Sequence, residues 1–173
     1  MCATAMSSGP SPVATSGADR PLGPPHQGAS GPATAAVTTT SPEQTEALGA
    51  QLAAKLVGGD VVLLRGDLGA GKTTLARGIA RALGVQGPVV SPTFTIGQRY
   101  RGTTFAVAHL DLYRLSTLGS EEPGLLDDYL HDDSVALVEW PLHGAPELAD
   151  AALSVTIRHD GGDQRCIEIR QLK

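Results

Sequence analysis

The sequence predicts an α/β fold: a mostly parallel sheet flanked by helices, with an antiparallel hairpin at its C-terminal end. Three observations predict it. Val61-Val62-Leu63-Leu64 and Val135-Ala136-Leu137-Val138 are continuous apolar runs, the pattern of strands covered on both faces. Leu48, Leu52, Ala53 and Leu56 recur at helical spacing before the first run, and a second helical stretch follows it. Two alternating segments, 153–158 and 165–169, flank Asp160-Gly161-Gly162-Asp163, a hairpin signal.

Length and charge set the frame for those elements. A chain of 173 residues is sized for one domain, with room for an appendage. Residues 1–36 hold six of the twelve prolines and five glycines, no aromatic, and only Asp19 and Arg20 as charges. Such a segment cannot bury enough apolar surface to offset its ordering entropy, so a disordered tail is expected there and a folded domain over 37–173. No run approaches the roughly 18 apolar residues of a membrane span, and the first 20 residues lack the basic start and apolar run of a signal peptide. A cytoplasmic location is expected. The net charge of -5 argues against a free-standing nucleic-acid-binding module, which shows a basic face. Two cysteines, Cys2 and Cys166, are too few for a zinc cluster. The chain contains no Asn, which removes the Asn-Lys-x-Asp guanine reader of ordinary GTPases.

The elements follow in order. Val37 to Thr40 is short and β-rich. Ser41-Pro42-Glu43-Gln44 reads as a helix start, with Ser as N-cap, Pro in the first turn and Gln44 placed to close a capping box. Gly58-Gly59 is expected to stop that helix. After the strand 61–64 and a Gly-rich turn, a helix is expected from 71 to 83, ended by Gly84. Segments 95–100 and 103–109 read as two strands joined by a tight turn at Arg101-Gly102, and 124–130 as a short helix. The resulting order is β-α-β-α-β-β-α-β-β-β.

The strongest motif is Gly66-Asp67-Leu68-Gly69-Ala70-Gly71-Lys72-Thr73. It fits Gly-x-x-x-x-Gly-Lys-[Ser/Thr] directly after an apolar strand and at the opening of a helix, the setting a phosphate-binding loop requires. Glycines let backbone N–H groups turn toward a phosphate, and the helix N-terminus adds positive partial charge. Lys72, one of three lysines, is placed for the β- and γ-phosphates, and the Thr73 hydroxyl for Mg²⁺. Thr74 serves either an α-phosphate or the helix backbone. The sheet is therefore expected to be of the P-loop NTPase type.

A nucleoside triphosphate needs a second acid to hold its metal. Glu139, ending the strand 135–138, is the first candidate. Asp111 is the second. Strand alternation puts His109, Asp111 and Tyr113 on one face, too polar a face for an apolar core. Asp111 either positions the attacking water, supports Mg²⁺ or pairs with Arg114. Ser91-Pro92-Thr93 precedes a strand, where a hydroxyl can sense a γ-phosphate, or a proline can simply fix a turn. Trp140 follows Glu139 and either stacks on a base, covers the site or packs in the core.

Gly-Asp-Leu-Gly-Ala-Gly-Lys-Thr-Thr (66–74), Ser-Pro-Thr (91–93), His-Leu-Asp-Leu-Tyr-Arg (109–114) and Val-Glu-Trp-Pro (138–141), in this order and spacing, resemble the TsaE (YjeE) family. The resemblance spans about 40 to 170. It implies a small α/β P-loop ATPase, with ATP and Mg²⁺ as cofactors. Its hydrolysis would support TsaD and TsaB type partners, which move a threonylcarbamoyl group onto the adenosine next to the anticodon of tRNAs reading codons that begin with A. It further implies that Gly69, Gly71 and Lys72, within the stretch from Asp67, Leu68 and Ala70 to Thr74, hold phosphates. Thr73 and Glu139 would hold Mg²⁺. Asp111 would stand near the γ-phosphate and Thr93 in a switch loop. Trp140 and Arg165 would lie near the nucleotide, and the start of the first helix would line the base.

Two other readings share the loop. A small-molecule kinase needs an Arg-bearing lid, whereas residues 115–133 hold six acids and no Arg. A nucleotide-dependent binding module with negligible turnover differs from the ATPase only in rate. The acidic stretch itself is either a docking face for a basic partner or a solvated surface.

Overall fold

The computed structural model describes residues 33–92, 95–118, 124, 126–141 and 148–173. Its elements are β1 (Thr34–Thr39), α1 (Pro42–Ala53), β2 (Val61–Arg65), α2 (Lys72–Ala82), β3 (Gly97–Tyr100), β4 (Ala106–Asp111), α3 (Tyr113–Leu118), β5 (Ser134–Glu139), β6 (Leu153–His159) and β7 (Arg165–Gln171). The order of element types matches the predicted one, but its third helix is α3 at 113–118, which the sequence did not announce, in place of the expected 124–130. The seven strands form one sheet in the order β1-β7-β6-β2-β5-β4-β3. The central four, β6, β2, β5 and β4, run parallel to one another, whereas β3 adds antiparallel to β4, β7 antiparallel to β6 and β1 antiparallel to β7.

β2 shows why its sequence is apolar throughout. Val62 and Leu64 face one core with Leu75, Ile79 and Leu137, while Val61 and Leu63 face a second with Leu110, Val138 and Leu126. α1 and α2 cover the first face, and Leu115 of α3 packs against the second. Leu64, Leu75 and Ile79 are wholly buried. Each such side chain contributes roughly 1.5–3 kcal/mol relative to staying in water.

α1 starts as predicted, but its cap closes differently. The Ser41 hydroxyl accepts from Gln44 N–H at 3.2 Å, while Gln44 Oε1 accepts from Thr40 N–H at 2.8 Å, one residue further back than a capping box. The helix ends at Ala53, ahead of Gly58-Gly59, and Gly59 instead lies at the entry to β2, donating to the Ser134 carbonyl. α2 ends in the 6→1 and 5→2 bonds of a Schellman cap, Val85 N–H to Ala80 and Gly84 N–H to Arg81.

Four boundaries depart from the prediction. β1 begins at Thr34, ahead of Val37, because Thr34 to Thr39 pair continuously with β7. The β3–β4 connection is wider than a tight turn, since Tyr100 pairs with Val107 across residues 101–106. β4 stops at Asp111, whose Oδ1 accepts the Tyr113 N–H at 3.1 Å; this side-chain turn leads the chain into α3, so Tyr113 is not on the strand. The described residues of 124–130 form hydrogen-bonded turns rather than the expected helix. Among the described residues, no helix is long and apolar enough to cross a membrane.

Candidate functional site

The C-terminal ends of β2, β5 and β4 lie side by side, with Leu64 opposite Glu139 and Glu139 opposite Asp111. In open α/β sheets this is the end where ligands bind. β2 runs straight into the 66–71 loop, which opens α2. Gly66 has φ +140° and packs against β6 so closely that a Cβ would strike the Ile157 carbonyl oxygen. Gly71 has φ +110° and caps α2 without any side-chain bond to the first-turn amides. Those amides and the helix dipole are left for an anion.

Lys72 is folded onto its own loop. It is only 4% exposed, and its ammonium donates to the Gly66 carbonyl at 2.9 Å and the Asp67 carbonyl at 2.8 Å. The Trp140 ring lies over it, 4.0 Å from Nζ to the centroid. Burial pushes the ammonium below the ordinary lysine range; the negative charges of Glu139, Asp111 and Asp67 oppose that shift. Trp140 reaches this place through a left-handed backbone, φ +54°, which costs an ordinary residue about 1–3 kcal/mol. Its backbone N–H donates to the Leu64 carbonyl near the end of β2, and its ring meets Tyr113 at 4.9 Å, tilted by 57°.

The loop and the two acidic strand ends are connected. The Thr73 hydroxyl donates to Glu139 Oε1 at 2.8 Å, and His109 Nε2 stands 2.8 Å from the same oxygen. Glu139 is buried, with 4% side-chain exposure. Asp111 is half-buried and accepts from the Ser91 hydroxyl at 2.6 Å. On the other side of the loop, Arg165 Nε donates to the Ala70 carbonyl at 2.9 Å, and Nη1 donates to the Gly162 and Gln164 carbonyls, both at 3.0 Å. A cleft of about 70 Å³ lies there, between Ser41, Pro42, Gly69, Thr74 and Arg165. A second, of about 220 Å³, lies beside Ser91, Asp111 and Tyr113.

The model of the family described as "Threonylcarbamoyl adenosine biosynthesis protein TsaE" matches residues 39–167. The chain belongs to the TsaE family. This family acts in tRNA threonylcarbamoyladenosine biosynthesis, and its loop is of the nucleotide-binding P-loop kind. A TsaE protein of Bacillus subtilis is 42% identical over 127 residues, covering 73% of this chain and 79% of its own. One of Streptomyces coelicolor is 45% identical over 119 residues, covering 67% and 80%. Among solved structures, Bacillus subtilis YdiB superposes with a TM-score of 0.64 at 33% identity, over 84% of this chain and 90% of that one.

Set on this TsaE chain, the residues singled out from sequence fall into three groups. Asp67, Gly69, Ala70, Gly71, Lys72, Thr73, Glu139, Trp140 and Arg165 converge on the loop, Asp111 stands on the strand end next to Glu139, and Thr74 lines the cleft beside the loop. Leu68 points away, 83% exposed at the tip. Thr93 lies outside the described residues. Sequence reasoning placed His109 on a polar face; it is wholly buried and bonded to Glu139 instead. It read Ser91-Pro92-Thr93 as a phosphate-sensing loop or a Pro-fixed turn, but missed the bond by which the Ser91 hydroxyl holds Asp111, 20 residues on.

Proposed function

We propose that the chain binds and hydrolyses ATP, with Mg²⁺, as the ATPase component of the complex that transfers a threonylcarbamoyl group to the adenosine next to the anticodon. The observation that carries this reading is the 2.8 Å bond between the Thr73 hydroxyl and Glu139, which joins the loop to a second strand end beside a buried lysine. Two oxygen donors suit Mg²⁺, which is held by one or two protein groups together with waters and substrate phosphates. Among the described residues no cluster of three His, Cys, Asp or Glu assembles that would favour an all-protein metal cage. When bound, Mg²⁺ neutralises charge on the phosphate oxygens.

The chain's own residues then divide the work. Lys72 exchanges its two loop carbonyls for phosphate oxygens, and the α2 amides donate to the same group. Glu139 and Thr73 hold the metal. Asp111, steadied by Ser91, orients the attacking water, and Thr93 belongs to the switch loop. Arg165 braces the loop at Ala70 and borders the nucleotide, whose base lies by Pro42. The absence of Asn favours adenine over the ordinary guanine reader. Asp127, Asp128, Asp132 and Asp133, all exposed, favour docking on a basic face of a TsaD–TsaB type pair, through which tRNA is reached.

The test is phosphate release from ATP with and without that purified pair. The expected result is stimulation. Absence of stimulation, together with phosphate appearing on a small acceptor, overturns the reading in favour of a kinase.

A further inference from the structure

His109 is a polar side chain in a place that apolar packing would suit. It sits in β4 between Ala108 and Leu110, opposite Leu137 of β5, and is 0% exposed. A leucine of similar bulk would satisfy the core there, and replacing buried polar groups with apolar ones of the same shape is often neutral for stability. Core packing therefore does not explain the imidazole; its one polar contact does. Nε2 stands 2.8 Å from Glu139 Oε1, while Nδ1 has no hydrogen-bond partner among the described residues.

That geometry fixes the tautomer. A carboxylate only accepts, and a neutral imidazole has one N–H to give. Nε2 therefore carries a hydrogen directed at Oε1, and Nδ1 is left without a partner among the described residues. Oε1 thus takes two hydrogen bonds, from His109 and from the Thr73 hydroxyl. Neither bond uses Oε2. The carboxylate is clamped from two elements 66 and 30 residues away in sequence, and its plane is set before any ligand arrives.

We propose that His109 is a positioning residue: it orients the Glu139 carboxylate for Mg²⁺ without touching nucleotide or metal. The inference rests on the reading of Glu139 given above. Partners of this kind, one bond removed from a ligating group, typically change metal affinity 10–100-fold when mutated.

The experiment pairs His109→Leu with His109→Gln, since the Gln amide N–H can reach where Nε2 donates. Binding of a non-hydrolysable ATP analogue is titrated against Mg²⁺ by calorimetry. The expected result is that His109→Leu needs about tenfold more Mg²⁺ for half-maximal tightening, binds the analogue normally without Mg²⁺, and that His109→Gln recovers most of the loss. Equal Mg²⁺ requirements in wild type and His109→Leu overturn the positioning role alone. A wild type indifferent to Mg²⁺ overturns the metal reading of Glu139 and this proposal with it. A second measurement needs neither ligand nor a folded variant: ¹⁵N spectra of histidine-labelled wild type. The Nε2–H tautomer is expected for His109; an Nδ1–H tautomer overturns the clamp.

Discussion

Replacing Gly78 by Ala tests whether the α1–α2 contact is as tight as it looks. The two helices meet at Gly49 and Gly78. A methyl at Gly78 would run into the Glu46 carbonyl oxygen, with Glu46 Cα at 2.7 Å and its carbonyl carbon at 2.8 Å. Carbon atoms pack at about 3.5–4.0 Å, so α1 must withdraw from α2 by roughly 0.8 Å or more. Overpacking of this kind costs about 1–3 kcal/mol. Alanine returns about 1 kcal/mol through helix propensity. Glu46 also carries the ion pairs to Arg77 and Arg81, so its displacement loosens both. Clash and propensity together leave a loss of about 0–2 kcal/mol, and the two loosened ion pairs, at a few tenths of a kcal/mol each, move the expectation to about 1–2 kcal/mol, or roughly 2–8 °C in Tm for a domain of this size. Thermal and urea unfolding of wild type and Gly78→Ala measure it directly. A variant as stable as wild type would mean that propensity outweighs the clash, and would refute the claim that only glycine fits this crossing.

Three further outcomes are expected. Lys72→Ala should weaken ATP binding by about 1.5–3 kcal/mol, the worth of a charged hydrogen bond, or roughly ten- to hundredfold in Kd by calorimetry; unchanged affinity would remove the lysine from the site. Arg165→Ala frees the Ala70 carbonyl and should speed amide exchange in residues 66–71 while weakening ATP binding about tenfold; unaltered exchange would show that the loop holds itself. Burial lowers the proton affinity of folded Lys72, so the unfolded chain binds more protons between the lowered value and 10.5. Stability contributed at this position therefore rises with pH across that window and is lowest below it. The unfolding free energy of wild type minus that of Lys72→Met should grow toward pH 10.5; a flat or falling difference contradicts the burial argument.

Local signals carried most of the architecture. The apolar runs of β2 and β5, the Ser41 cap and the Gly161-Gly162 hairpin each state their structure within a few residues. The loop 66–73 does the same for the site, because strand, glycines, Lys and Thr are contiguous. What was illegible depended on partners distant in sequence. β1 extends to Thr34 because β7 offers it a full edge, which no property of Thr34-Ala35-Ala36 announces. The polar spacing of His109, Asp111 and Tyr113 resembled an exposed strand face. In the fold, His109 is buried against Glu139, and Asp111 ends the strand by bonding the Tyr113 amide. Segment 124–130 read as a short helix, yet its described residues form turns that fold Leu126 into the second core.

The residues around the loop come from 66–73, 109–111, 139 and 165, and only the pairing of five different strands brings them together. The unfolded chain has no such site at all. A phosphate-bearing ligand held there is consequently a ligand of the folded state alone. At a hundred times its Kd it would deepen the native well by about 2.7 kcal/mol. Withdrawal of that ligand would raise the unfolded fraction about a hundredfold, so its supply sets how often the chain opens to proteolysis or aggregation.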